Sequence, residues 1–95
     1  MTLDYTVQNV EKEQIASFTF PKGEILDQKH DQLNRSIELK RALSLGNLER
    51  QKVKIVFVDN VGYKRVETTV WGITDKSVIL KKSTLIPLQR IVSVA

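Results

Sequence analysis

From Lys52 onward, short runs of alternating apolar and polar residues are separated by turn residues. Val53, Ile55 and Phe57 alternate with Lys52, Lys54 and Val56, which is the period of a strand. Val56 and Val58 make the outer side apolar as well. Such a strand needs cover on both faces, from the N-terminal half or from another subunit. Asp59-Asn60-Val61-Gly62 reads as a turn in which Asn60 and Gly62 tolerate positive φ. A longer strand over 63–74 is rich in β-formers, with Val66 and Val70 on one face and Trp71 and Ile73 on the other. A change of buried face requires a bend, and Gly72 has the freedom for it. Asp75-Lys76 turns the chain into a third strand over 77–82, and Ser83-Thr84 turns it again. Residues 85 and 86 form a short strand ended by Pro87, which cannot donate to a ladder. Residues 87–90 have room for one 3₁₀ turn. A fifth strand over 91–94 is placed to close against the first.

The N-terminal half follows a different period. Leu39, Ala42 and Leu43 cluster on one side of a predicted helix over 36–46, with Ser36 as N-cap and Gly46-Asn47 as the stop. Nothing over 28–35 forbids an earlier start, near Asp27 or Asp31. Residues 15–20 read as a strand ended by Pro21-Lys22-Gly23, and 5–10 offer a further candidate strand. About 45 residues bury too little surface to stand alone, so the helix and the added strand are expected to complete the core. Self-association through an exposed strand edge is the other way to gain burial.

The fold expectation is therefore α+β. It is a small β-barrel over 50–95 carrying an N-terminal helix and an additional N-terminal strand, in a single domain over 1–95 with an extension over 1–35. Apolar residues make up 41% and charged residues 27%, as expected of a folded domain. The chain shows neither a secretory leader nor an apolar run of spanning length, which predicts a cytoplasmic protein without membrane association. With no cysteine there is no disulfide scaffold, thiol nucleophile or Cys-ligated zinc.

Charge changes the picture more than composition does. Residues 1–48 balance at −1, whereas residues 49–95 carry nine Lys/Arg against four Asp/Glu, a balance of +5. A basic half predicts an anionic partner. The candidate nucleic-acid-binding residues are Lys52, Lys54, Lys64, Arg65, Lys81 and Lys82, with Tyr63 beside them as a stacking ring. The plainer role for these lysines is to solubilise strand edges. Trp71 is expected in the core, as the largest side chain of a small barrel.

The chemistry of catalysis is thinly represented. His30 is the single histidine and stands in a polar helix start near Glu24, Asp27 and Asp31, where a solvated role is expected. The four glycines are scattered singly, so no phosphate loop forms. No catalytic residue, metal or cofactor is predicted, and the chain reads as a non-enzyme.

The run VETTVWGITDKSVILKKSTLIPLQRIVSV resembles the second half of SH3-like and Sm-like small barrels. The shared features are a glycine in a bent strand, an aspartate turn, a Val-x-Leu strand, a short Ile strand and a closing Ile-x-x-Val. The chain also resembles small bacterial proteins with Leu-Gly-Asn, Thr-Thr-Val-Trp and Ile-Pro motifs, here Leu45-Gly46-Asn47, Thr68-Thr69-Val70-Trp71 and Ile86-Pro87. Sm-like barrels often bind RNA as rings and SH3-like barrels often bind peptides. The chain lacks the tyrosine-lysine-histidine signature of bacterial Sm-like RNA chaperones. That departure counts against a ring with its RNA pocket, so the expectation of a binding module for RNA or single-stranded DNA rests on the basic residues and the rings beside them. Its alternative is a protein-interaction or assembly module that uses a sheet edge and the Val56/Val58 face, with a homo-oligomer as one outcome.

Overall fold

The structure, a computed structural model, describes residues 6–95. Within them the protein is α+β, with one α-helix and seven strands in two sheets. Strand β1 (Gln8–Val10) is followed by the helix α1 (Lys29–Leu48), then β2 (Val53–Val58), β3 (Tyr63–Thr68) and β4 (Val70–Ile73). Strands β5 (Ser77–Leu80), β6 (Leu85–Pro87) and β7 (Ile91–Val94) complete the order.

The first sheet runs β1-β3-β2-β7 and the second runs β4-β5-β6. β2 pairs antiparallel with β3 from Val53↔Thr68 to Val58↔Tyr63, and β7 returns to β2 as the alternation predicted. Neither sheet closes on itself. The expected long strand over 63–74 is divided at Thr69, and its halves belong to different sheets. Val66, Thr68 and Val70 keep one inward phase, with Thr69 also buried at the junction of the sheets. The inward face changes at a bulge beside Gly72, as expected: Val70 pairs with Leu80 and Gly72 with Ile79, which leaves Trp71 as the extra residue and brings Ile73 against the core.

One apolar core joins both sheets and the helix. Ile55, Phe57, Val66, Val70, Val78, Leu80, Ile86 and Ile91 are fully enclosed, and Leu39 and Ala42 of α1 pack onto them. In β2 the inward set is the predicted Val53, Ile55 and Phe57. Val58 is buried as well, while Val56 is half-buried, so the outer face of β2 is not bare.

The N-terminal segment departs from expectation. Residues 12–17 form a 3₁₀ helix where 15–20 was read as a strand. Local polar groups explain the change. The Gln14 side-chain oxygen accepts from the Glu11 N–H at 2.8 Å, and the Ser17 hydroxyl donates to the Gln14 carbonyl at 2.7 Å. Ile15 and Phe18 are three apart, which suits a tight turn that points both inward. Phe18 and Phe20 then lie 6.3 and 5.9 Å from Phe57, ring centre to ring centre. The N-terminal strand that does form is β1, within the candidate over 5–10, parallel to β3 from Gln8↔Lys64 to Val10↔Val66. Tyr5, in the candidate strand over 5–10, lies outside the described residues.

The helix starts at Lys29, midway between Asp27 and Asp31 and well before the expected N-cap Ser36, which sits exposed within it. It also continues through the predicted stop to Leu48. Its buried stripe is Arg35, Leu39, Ala42 and Gly46. Arg35 fastens it: the guanidinium donates to both Glu24 carboxylate oxygens at 2.7 Å and to the Ile91 carbonyl at 3.1 Å. Hydrogen bonding from Arg35, stronger than the opposing effect of burial, holds the Glu24 carboxyl below its ordinary value. Arg90, on the 3₁₀ turn after β6, is buried too and donates to the carbonyls of Val58 and Gly23, both at 2.9 Å.

Turn chemistry also differs from expectation at two places. The 59–62 turn uses no positive φ at a glycine. It is held by the Asp59 carboxylate, which accepts from the Val61 and Gly62 N–H groups at 2.9 Å each. Between β5 and β6, Lys82 and Ser83 both adopt left-handed φ, at 64° and 63°. Two successive left-handed residues are costly for side chains other than Asn and Gly. Lys82→Asn combined with Ser83→Gly is therefore expected to raise stability by about 1 kcal/mol. An unchanged urea midpoint would show that the turn carries no such strain.

Candidate nucleic-acid interface

Five local features converge beside the end of α1. The last helical turn presents Gly46 and Asn47. Arg50 then adopts left-handed φ at 55°, and the Gln51 N–H reaches back to the Leu45 carbonyl at 3.2 Å. This reversal sets Lys52 at the mouth of β2. Thr69 breaks the long strand, and its carbonyl accepts from the Lys81 N–H at 3.2 Å, which carries Lys81 to the same place. Trp71 alternates with the buried Val70 and so faces outward, where it is 51% exposed.

Together these residues line an open groove of about 490 Å³. Among the described residues its charges are Arg50, Lys52 and Lys81, and none of them is a carboxylate. The end of α1 contributes roughly half a unit of negative charge, which three cations outweigh. The groove offers positive charge, one flat ring and the Asn47 amide. That combination suits an anion joined to a planar group.

A second groove of about 410 Å³ lies on the outer side of β2 and β3. Lys52 lines it as well, followed by Lys54 and Arg65, whose Nε–H donates to the Asn9 side-chain oxygen at 2.8 Å. Glu11 and Glu67 also line this groove, so its charge is mixed.

The seven sequence candidates thus separate. Lys52 and Lys81 meet in the first groove, and Lys52, Lys54 and Arg65 share the second. Lys64 points inward. Its side chain is 6% exposed, its Nζ lies 3.0 Å from Asp59 Oδ2, and the Phe18 ring centre is 5.1 Å away. It cannot reach a ligand on the surface. Tyr63 is half-buried and pairs with Val58, about 17 Å along β3 from the Thr68 end that faces the first groove. Lys82 is exposed on the turn and, behind the hydrogen bond from Lys12, helps hold the Glu13 carboxyl below its ordinary value. It does not line either groove.

Sequence reasoning missed Arg50 and Asn47, and it placed Trp71 in the core. The tryptophan is outside because it alternates with the buried Val70; the bulge reverses the phase only beyond it, bringing Ile73 back against the core. The core expectation rested on the size of the side chain, whereas its phase opposite Val70 was the better guide. His30 is exposed and its nearest polar partner is the Asn34 amide at 3.3 Å. Among the described residues no helix is long and apolar enough to cross a membrane. Comparison of the chain with protein-family models, curated proteins and solved structures finds no match.

Proposed function

We propose that this protein is a non-catalytic nucleic-acid-binding module with the layout of an SH3-like or Sm-like small barrel. The strand pairing supports that layout: β7 returns to β2, β2 pairs with β3, and the strand continuing β3 leads the β4-β5-β6 sheet. The observation that carries the function is the groove of Arg50, Lys52 and Lys81 around the exposed Trp71, without a carboxylate among the described residues that line it. Phosphates supply most of the affinity in such sites, and exposed rings accept bases.

The assembly alternative has less support. Val58 is buried within the chain, which leaves half-buried Val56 alone on that face. The outer edge of β7 is occupied by α1, whose Arg35 donates to the Ile91 carbonyl and whose Glu38 accepts from the Val94 N–H.

Fluorescence anisotropy with short RNA and DNA across a salt series tests the proposal. Binding is expected at about 50 mM salt, weakening with a log–log slope near −2 for three cations at roughly −0.7 each. Combining Lys52→Glu with Lys81→Glu is expected to lower affinity at least about tenfold. Affinity that ignores salt, or no binding in dilute salt, would remove the basis of the reading.

A further inference from the structure

We infer that the ligand is an unpaired strand, and that it runs from Trp71 across Lys52 to Lys54 over about three nucleotides; this rests on the nucleic-acid reading above. Lys52 is the hinge of the inference. It lines both grooves, so the Trp71 groove continues onto the outer side of β2 at this side chain. Lys52 and Lys54 are both exposed and lie two residues apart on one face, about 6.6 Å along the strand. That step is close to the spacing of successive phosphates in an extended single strand.

The far end is set by charge. Lys54 stands opposite Glu67 in the β2–β3 register, and Glu11 lines the same groove. Two carboxylates repel the next phosphate, so the track ends near Lys54 and Arg65. The near end is set by shape. Trp71 offers half its surface inside a groove of small-ligand size. A base can stack there only after leaving its neighbours, and the bases of a duplex are not free to do so. The ligand class is therefore single-stranded RNA or DNA.

The chain has one tryptophan, so its emission reports the groove directly. The experiment titrates single strands of one to six nucleotides, the matching duplex and an abasic strand, and follows both emission and anisotropy. Single strands are expected to quench Trp71, with affinity rising up to about three or four nucleotides and then levelling. Duplex and abasic strands are expected to bind more weakly and leave the emission unchanged. Trp71→Ala should weaken single-strand binding at least about fivefold, with part restored in Trp71→Phe. Lys54→Glu should shorten the rise by one nucleotide. Parallel RNA and DNA series identify the source, and a preference for either supports the assignment. Duplex binding as tight as single-strand binding, or affinity already complete at one nucleotide, overturns it. Failure of every nucleic acid to bind instead removes the underlying functional reading.

Discussion

Asp59→Ala is expected to lower folding stability by about 3–5 kcal/mol, a large share of the roughly 5–15 kcal/mol that holds a domain together. The Asp59 side chain is 1% exposed and that of Lys64 is 6% exposed. The carboxylate accepts from Lys64 Nζ at 3.0 and 3.1 Å and from two N–H groups of its own turn. Alanine leaves a buried ammonium facing only the Phe18 ring, and it leaves two turn donors without their acceptor. Lys64→Met should lose less, because the carboxylate keeps the Val61 and Gly62 donors. Combining Asp59→Asn with Lys64→Met removes both charges and keeps an acceptor for the turn. That double variant is expected within about 1 kcal/mol of the parent. Urea unfolding of the four proteins decides the matter; equal losses in all three variants would contradict this account of the pair.

The same pair sets a pH dependence. Burial raises the Asp59 carboxyl, but the Gly62 N–H, the Lys64 ammonium and the Val61 N–H together outweigh it and hold the group below its ordinary value. A carboxyl lowered in the folded state binds its proton more readily in the unfolded chain. Its stabilisation is therefore complete above the unfolded value, near pH 4, and disappears as pH falls through the folded value. Glu24, lowered by Arg35, acts in the same direction. Urea midpoints measured from about pH 6 down to about pH 2 should fall, and the fall should be shallower in Asp59→Asn.

Gly46→Ala is expected to destabilise the protein by about 2–3 kcal/mol, against the roughly 1 kcal/mol gain that helix propensity alone predicts. A Cβ at position 46 would fall on the Val70 carbonyl oxygen, far inside contact distance, with the Thr69 methyl at 3.1 Å behind it. The obstacle is backbone, and Val70 is fixed by its pairing with Leu80, so it cannot swing aside. The helix must back away from β4. Gly46 and Thr69 also line the Trp71 groove, so the variant should lose nucleic-acid affinity as well. Gly23 and Gly62 have open space at the same position, and alanine there should be neutral within about 0.5 kcal/mol. Calorimetry on the three variants checks the contrast; a more stable Gly46→Ala would mean that α1 and β4 do not meet at Gly46.

Much of this architecture was legible along the chain, because a strand with one covered face must alternate. The inward set Val53, Ile55 and Phe57 and the return of β7 to β2 follow from that period, while the Pro87 terminus and the 3₁₀ turn before β7 follow from proline's missing N–H and the short span over 87–90. The inward direction of Lys64 was legible as well. It is in phase with Val66 and Thr68, and Asp59 stands five residues before it as a partner. Position beside a hairpin is a weaker guide to exposure than phase. The 12–17 segment was less accessible, since Gln14 and Ser17 bind their own backbone and override the β-forming tendency of its apolar residues.

Taken alone, the chain determined the helix, the order and faces of most strands, and the concentration of positive charge in its second half. Only the tertiary structure decided which cations share a groove, because the turn that carries Lys81 is distant in sequence from Arg50 and Lys52, which link the end of α1 to the start of β2. It alone placed Ile73 against the core, on the side opposite to Trp71. Periodicity assigns side chains to alternate faces, but a single inserted residue reverses that assignment, and the insertion exists only relative to the partner strand.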